Sequence, residues 1–168
     1  MTTDLEARLR NLEDRVELGD LIARYGRYVD DRDYEALGTL YSHDAVFDTV
    51  GGPKTGHQAV LDYYRERLAL FGPTYHYPHT QEITFTSADQ AEGLVCAHAE
   101  LAIDGEAVWV AIRYDDRYVR EDGRWLFRER AVNFLYVMRL SELPHTMGHE
   151  LRKRWPGTDP EPADLGNH

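Results

Sequence analysis

The sequence predicts an α+β domain in which helices come first and pack on one face of a curved antiparallel sheet. Three observations carry this. From Asp4 to Leu70 most apolar residues recur at helical spacing. From Thr80 to Met138 four runs rich in β-branched and aromatic residues follow one another. Short turn signals separate those runs, and long strands joined by tight turns must be antiparallel.

The elements follow in order. Leu5, Leu9, Leu12 and Val16 form one helical stripe, and Leu18, Ile22, Tyr25 and Val29 form a second, each at spacings of four, three and four. The stripe shifts around Glu17-Leu18-Gly19, which predicts two helical pieces or one bent helix over Asp4 to Val29, capped by Thr2 or Thr3. A short helix is expected over Tyr34 to Tyr41, with Asp33 as its N-cap. Ala45 to Val50 reads as a short strand closed by the turn Gly51-Gly52-Pro53. His57 to Leu70 is helical again, with Val60, Leu61, Tyr64 and Leu68 on one face. The strands Thr80–Thr86, Glu92–Ile103, Ala107–Val119 and Trp125–Met138 are separated by Ser87-Ala88-Asp89, Asp104-Gly105 and Glu121-Asp122-Gly123. Residues 1–138 thus form one domain. The Pro/Gly/Asp-rich residues 139–168 are expected to be a tail, partly disordered or packed on a pocket or a neighbouring subunit.

Composition bounds the function. The chain of 168 residues is long enough for one domain with a substantial core. A net charge of -11 repels a phosphate backbone and an anionic membrane surface, so neither nucleic acid nor membrane is an expected partner. The single cysteine, Cys96, has no partner for an internal disulfide. No apolar stretch approaches the length of a membrane span, and the charged N-terminus does not read as a secretory signal, which predicts a cytoplasmic protein.

The candidate chemistry lies in a few polar residues beside apolar rows. Eight histidines are scattered without the spacing of a strong metal motif, and His76 and His79 differ in strand parity, so no metal site is predicted. Asp30, at the end of the first long helix, borders the Ile22/Tyr25/Val29 stripe. A carboxylate at the edge of a core needs a hydrogen-bonding partner, and an imidazole would serve. His98 sits on a strand whose alternation leaves open which row lines a cavity. Arg130 shares an apolar row with Val132, Phe134 and Tyr136, where it either snorkels at an edge or serves a buried anion or carbonyl.

The segments YGRYVDDRDYEALGTLYSHDAVFD, KTG at a helix start, HYPHTQEITF and DGRWLF resemble the SnoaL-like branch of the nuclear transport factor two-like superfamily. The resemblance runs from about Leu18 to Tyr136. It implies a cone, a strongly bent antiparallel sheet wrapped around three helices with a deep apolar pocket. Within the branch the sequence is similar to dehydratases and eliminases such as scytalone dehydratase, bile acid 7α-dehydratase and hexachlorocyclohexane dehydrochlorinase. These share a histidine–aspartate dyad, which the resemblance puts on His76 and Asp30. It further implies a catalytic tyrosine at Tyr25 and substrate-binding roles for Arg130 and His98.

The resemblance therefore implies a cofactor-independent lyase on a small apolar or polycyclic substrate. His76 would be the general base and Asp30 would orient it. An isomerase or polyketide cyclase on the same pocket, or a non-catalytic binding or assembly module, are the alternatives. A homo-oligomer, trimer or dimer, is expected. Parity leaves one question open. On a regular strand His76 would point away from Ile83 and Phe85, so either Pro78 bulges the strand or the even-numbered row faces inward.

Overall fold

A computed structural model describes residues 2–165, and their side chains from residue 4 onward. Helix α1 (Thr2–Asp30) leads into the short α2 (Tyr34–Gly38), strands β1 (Tyr41–Asp48) and β2 (Lys54–Thr55), and helix α3 (His57–Leu68). Four long strands follow: β3 (Thr74–Phe85), β4 (Gln90–Ile103), β5 (Glu106–Glu121) and β6 (Arg124–Arg139). A 3-10 turn (Leu140–Glu142) and a short helix α4 (Leu143–Thr146) close the ordered elements.

The six strands form one sheet in the order β2-β1-β6-β5-β4-β3. The β3–β6 meander is antiparallel throughout, and β1 adds to β6 in parallel. Asp104-Gly105 and Asp122-Gly123 both hold positive φ, as tight two-residue hairpins require at each central position. The core lies between the helices and one face of the sheet. It joins Leu18, Ile22 and Val29 of α1 to Val60, Leu61 and Leu68 of α3 and to the inward rows of β4, β5 and β6.

Two expectations are decided here. First, of two helical pieces or one helix, α1 is a single helix that runs through Gly19, and the shift of its apolar stripe follows where the body begins. Its side-chain hydrogen bonds to the body start at Asp14, which accepts from Arg120 and from the Trp125 indole, and continue with Arg15, which donates to the Ile83 carbonyl, and Glu17, which accepts from the Trp125 backbone. Second, the short helix stops at Gly38. Tyr41 belongs to β1, opposite Phe127, because that pairing buries it in the core. Asp33 does cap α2, accepting from the Ala36 amide at 3.0 Å.

The parity question is resolved by a bulge. Pairing of β3 with β4 runs in register from Thr74↔Leu101 to Pro78↔Ala97 and then shifts by one residue, resuming at Thr80↔Cys96. His79 is the extra residue. Before it the even positions Thr74 and His76 face inward. After it the odd positions Gln81, Ile83 and Phe85 do. One inserted residue therefore lets His76 and Ile83 face the same interior.

The helix reaches β3 through a glycine. A Cβ built on Gly26 would meet the His76 Cβ at 3.4 Å and the His76 carbonyl at 3.5 Å, so α1 and β3 approach there to a distance that leaves room for a methyl in contact and no more. A methyl fits this space, and anything larger does not. Gly26→Ala should leave stability unchanged or raise it by up to about 1 kcal/mol through helix propensity. Gly26→Leu should cost about 1–3 kcal/mol by prising α1 from β3. Urea unfolding of the two variants checks the contrast.

Candidate active site

The end of α1 and the start of β3 meet at Asp30. Its Oδ1 lies 2.7 Å from His76 Nδ1 and accepts from Thr74 Oγ1 at 3.0 Å, and its Oδ2 accepts from the His76 backbone amide at 2.8 Å. Arg32 braces the corner from a left-handed backbone conformation. It donates to Thr74 Oγ1 at 2.6 Å, to the Gly72 carbonyl at 2.6 Å and to the Asp30 carbonyl at 3.0 Å. A carboxylate can only accept, so the imidazole proton sits on Nδ1 and Nε2 is left with its lone pair. Among the described residues nothing hydrogen-bonds Nε2.

His76 lines an apolar cavity of about 80 Å³. Val29 of α1, Phe47 of β1, Leu68 of α3 and Ile112 of β5 contribute to its wall, and Trp155 of the C-terminal tail reaches it from outside the sheet. The tail gets there by pairing with β6. The Val137 amide donates to the Arg152 carbonyl and the Arg154 amide to the Val137 carbonyl, each at 2.8 Å. The Phe134 amide donates to the Asp164 carboxylate at 2.7 Å, and the Trp155 and Phe134 rings meet edge to face at 5.3 Å. Arg67 lies over Trp155, 5.2 Å from its ring. Trp155 therefore lines the pocket of its own chain, held there by the pairing of its segment with β6.

Opposite His76 stands a group of buried phenols. Tyr25 meets His76 edge to face, with ring centroids 6.3 Å apart. Tyr64 donates to the Tyr25 oxygen at 3.1 Å. Since that uses the Tyr64 proton, the 2.8 Å contact between Tyr64 and Tyr41 must be donated by Tyr41. The relay Tyr41→Tyr64→Tyr25 leaves the Tyr25 proton available. Burial pushes the Tyr25 phenol above its ordinary pKa, and the Arg130 guanidinium and hydrogen bonds from Tyr64 and Tyr114 hold that rise in check. Burial drives Tyr41, Tyr64 and Tyr114 well above it. At neutral pH Tyr25 is thus a neutral donor.

Two site expectations change. Arg130 does not reach the cavity surface. It is fully buried behind Tyr25, with Nε and Nη2 each 2.8 Å from the Asp116 carboxylate oxygens. Its guanidinium carbon is 4.1 Å from the Tyr25 and Tyr114 ring centres and 4.2 Å from that of Phe127. Nη1 has no hydrogen-bond partner among the described residues, and the three rings supply its surroundings instead. Burial opposes the charge, but Asp116 more than offsets it and holds the Arg130 pKa well above its ordinary value.

His98 faces the other side of the sheet. It pairs with Tyr77 across β3, so it points opposite to Ala99 and His76. There its Nδ1 lies 2.6 Å from His79 Nε2, and its ring stacks on Tyr77. Burial and the neighbouring His79 lower its pKa. No group of three or more histidine, cysteine or acidic side chains among the described residues is placed to hold a metal ion. Sequence reading missed Tyr64, Tyr114 and Trp155 as site residues. Tyr64 had a signal, its place on the buried face of α3. Trp155 had none, because its position depends on the path of the tail.

The family model described as SnoaL-like domain matches residues 10–131. The γ-hexachlorocyclohexane dehydrochlorinase of Sphingobium indicum is 29% identical over 126 residues, which cover 73% of this chain and 81% of the relative. The crystal structure of LinA superposes with a TM-score of 0.76 at 26% identity, covering 80% of this chain and 94% of that one. A Novosphingobium aromaticivorans protein named for scytalone dehydratase superposes with a TM-score of 0.72, covering 77% of this chain and 89% of that one. Its 21% identity speaks for the fold alone.

Removing half of the buried ion pair should be costly. Arg130→Met strands the Asp116 carboxylate in the core and should lose about 3–5 kcal/mol. Adding Asp116→Leu to it should recover much of that loss, as chemical denaturation of the single and double variants would register.

Proposed function

The chain belongs to the SnoaL-like domain family, and from that premise we propose that it is an eliminase- or dehydratase-type lyase with His76 as its base. The observation that carries the reading is the 2.7 Å contact of His76 Nδ1 with Asp30, which leaves Nε2 unengaged in an apolar cavity. Relatives named as dehydrochlorinases support the reaction class.

In the proposed step Nε2 removes a proton from the carbon next to the one that carries the leaving group. The C–H electron pair forms the new double bond, and the leaving group departs with its own bonding pair. Asp30 holds the ring in the required tautomer and stabilises the imidazolium as it forms. The apolar walls keep water out and strengthen that attraction. Tyr25 donates its proton, or a hydrogen bond, to a departing hydroxyl or halide or to an enolate oxygen. Arg130 acts through Tyr25, steadying negative charge that develops on the phenol.

The cavity bears on substrate size. At about 80 Å³ it falls below the few hundred Å³ usual for a drug-sized ligand. It favours the small, apolar end of the expected range, and a polycyclic substrate would require Trp155 to move off the mouth.

Halogenated cyclohexanes and small β-hydroxy ketones, incubated in D₂O, test the reading. Halide release or loss of water should appear in the wild type and fall about 10²–10⁴-fold in His76→Ala and in Asp30→Asn. Deuterium exchange into recovered substrate without loss of a group would instead report an isomerase or cyclase. Binding of equal strength with no turnover in any variant would overturn the enzyme reading. Trp155→Ala should raise kcat/KM for bicyclic substrates relative to monocyclic ones, measured side by side on the same panel.

A further inference from the structure

We infer that the first half of α1 is a self-association helix, whose Leu5/Leu9/Leu12/Val16 face pairs with the same face of a second copy, parallel and in register. Every residue from Asp4 to Glu13 is exposed, and the four apolar side chains are 65, 54, 61 and 66% exposed. Leu12 and Val16 lie two residues either side of Asp14, hence roughly 200° around the helix from the point where the body begins. The stripe therefore faces away from the domain. An isolated helix of this length is marginal in water, and a segment exposed throughout in its own chain has little of the packing that usually sustains a helix.

The spacing is that of a coiled-coil seam, with Leu9 and Val16 at a positions and Leu5 and Leu12 at d. The flanking charges select the partner. Positions g carry Arg8 and Arg15, and positions e carry Glu6, Glu13 and Asp20. In a parallel pair each g residue meets the e residue five positions further along the other helix. Arg8 then meets Glu13, an opposite charge. Arg15 donates to the Ile83 carbonyl and lies over the Phe85 ring of its own chain, so the Arg8–Glu13 pair carries the selection. An antiparallel pair would set arginine against arginine and glutamate against glutamate, which is unfavourable. An anionic membrane fits poorly, because Asp4 to Glu17 holds five acidic residues and three basic ones.

The geometry allows this pairing. The same side of α1 remains exposed at Asp20, Ala23 and Arg27, so a second helix can lie along it without meeting either body. Leu5 to Val16 spans about 17 Å, too short for a tight coiled coil, so the dimer is reversible. Anchoring at Asp14 and Glu17 holds the helix ready and lowers the ordering cost of association.

Cysteine cross-linking and sedimentation test the arrangement, in a Cys96→Ser background. Leu9→Cys chains should oxidise to a covalent dimer, whereas a mixture of Leu9→Cys and Leu12→Cys chains should give no mixed dimer beyond background. Wild type should show a concentration-dependent association step that Leu9→Glu/Leu12→Glu removes without lowering the melting temperature of the domain. Arg8→Glu should weaken that step about tenfold, and mixing Arg8→Glu chains with Glu13→Arg chains should restore it. Identical sedimentation of wild type and the double glutamate variant would overturn the proposal. So would mixed Leu9–Leu12 cross-links, or binding to anionic phospholipid vesicles that the double variant loses.

Discussion

Asp30 is the hinge pin of the domain. A carboxylate at a helix C-terminus faces the negative end of the helix dipole, and it stays there only if other donors compensate. Three do, and all of them come from the first residues of β3. The same contacts join the longest helix to the edge of the sheet, set the tautomer of His76 and fix the direction of its free nitrogen. Structure and proposed chemistry thus share one set of hydrogen bonds. The close approach at Gly26 and the bracing by Arg32 serve that junction.

The bulge at His79 follows from the demands on either side of it. Upstream, β3 must present Thr74 and His76 to Asp30. Downstream, it must present Ile83 and Phe85 to the core, where Phe85 packs on Trp125. A period of two cannot satisfy both across an odd separation, and one unpaired residue can. Pro78, which has no amide to donate, sits where the pairing breaks. The extra residue turns outward, against His98. Thus His79, which strand parity separates from His76, is the residue that lets His76 and Ile83 share the interior.

The interior wall opposite His76 is polar in composition yet closed to water. Arg130 and Asp116 satisfy each other, three aromatic rings enclose the guanidinium, and Tyr41 and Tyr64 pass one direction of hydrogen bonding toward Tyr25. Each group would be costly to bury alone. Together they hold positive charge and a donor beside a cavity otherwise lined by apolar side chains, which is the environment in which charge development on a reacting atom is felt most strongly. The fold, N-terminal helices with a six-stranded curved sheet, is that of the nuclear transport factor two-like, cystatin-like domains.

By itself the sequence determined the elements and the pair. Helical spacing in α1 and α3, β-branched runs in β4, β5 and β6, and Asp-Gly turns are local signals, written within a few residues of where they act. The family-like segments around Asp30 and His76 picked out two residues that the structure does hydrogen-bond. Tertiary structure alone decided the parity of β3, the burial of Arg130 behind Tyr25, the outward face of His98 and the reach of Trp155 to the cavity. Alternation along a strand states that neighbours face opposite ways, never which way is in. That depends on which helix the strand meets and where its register slips, and those are set by residues dozens of positions away.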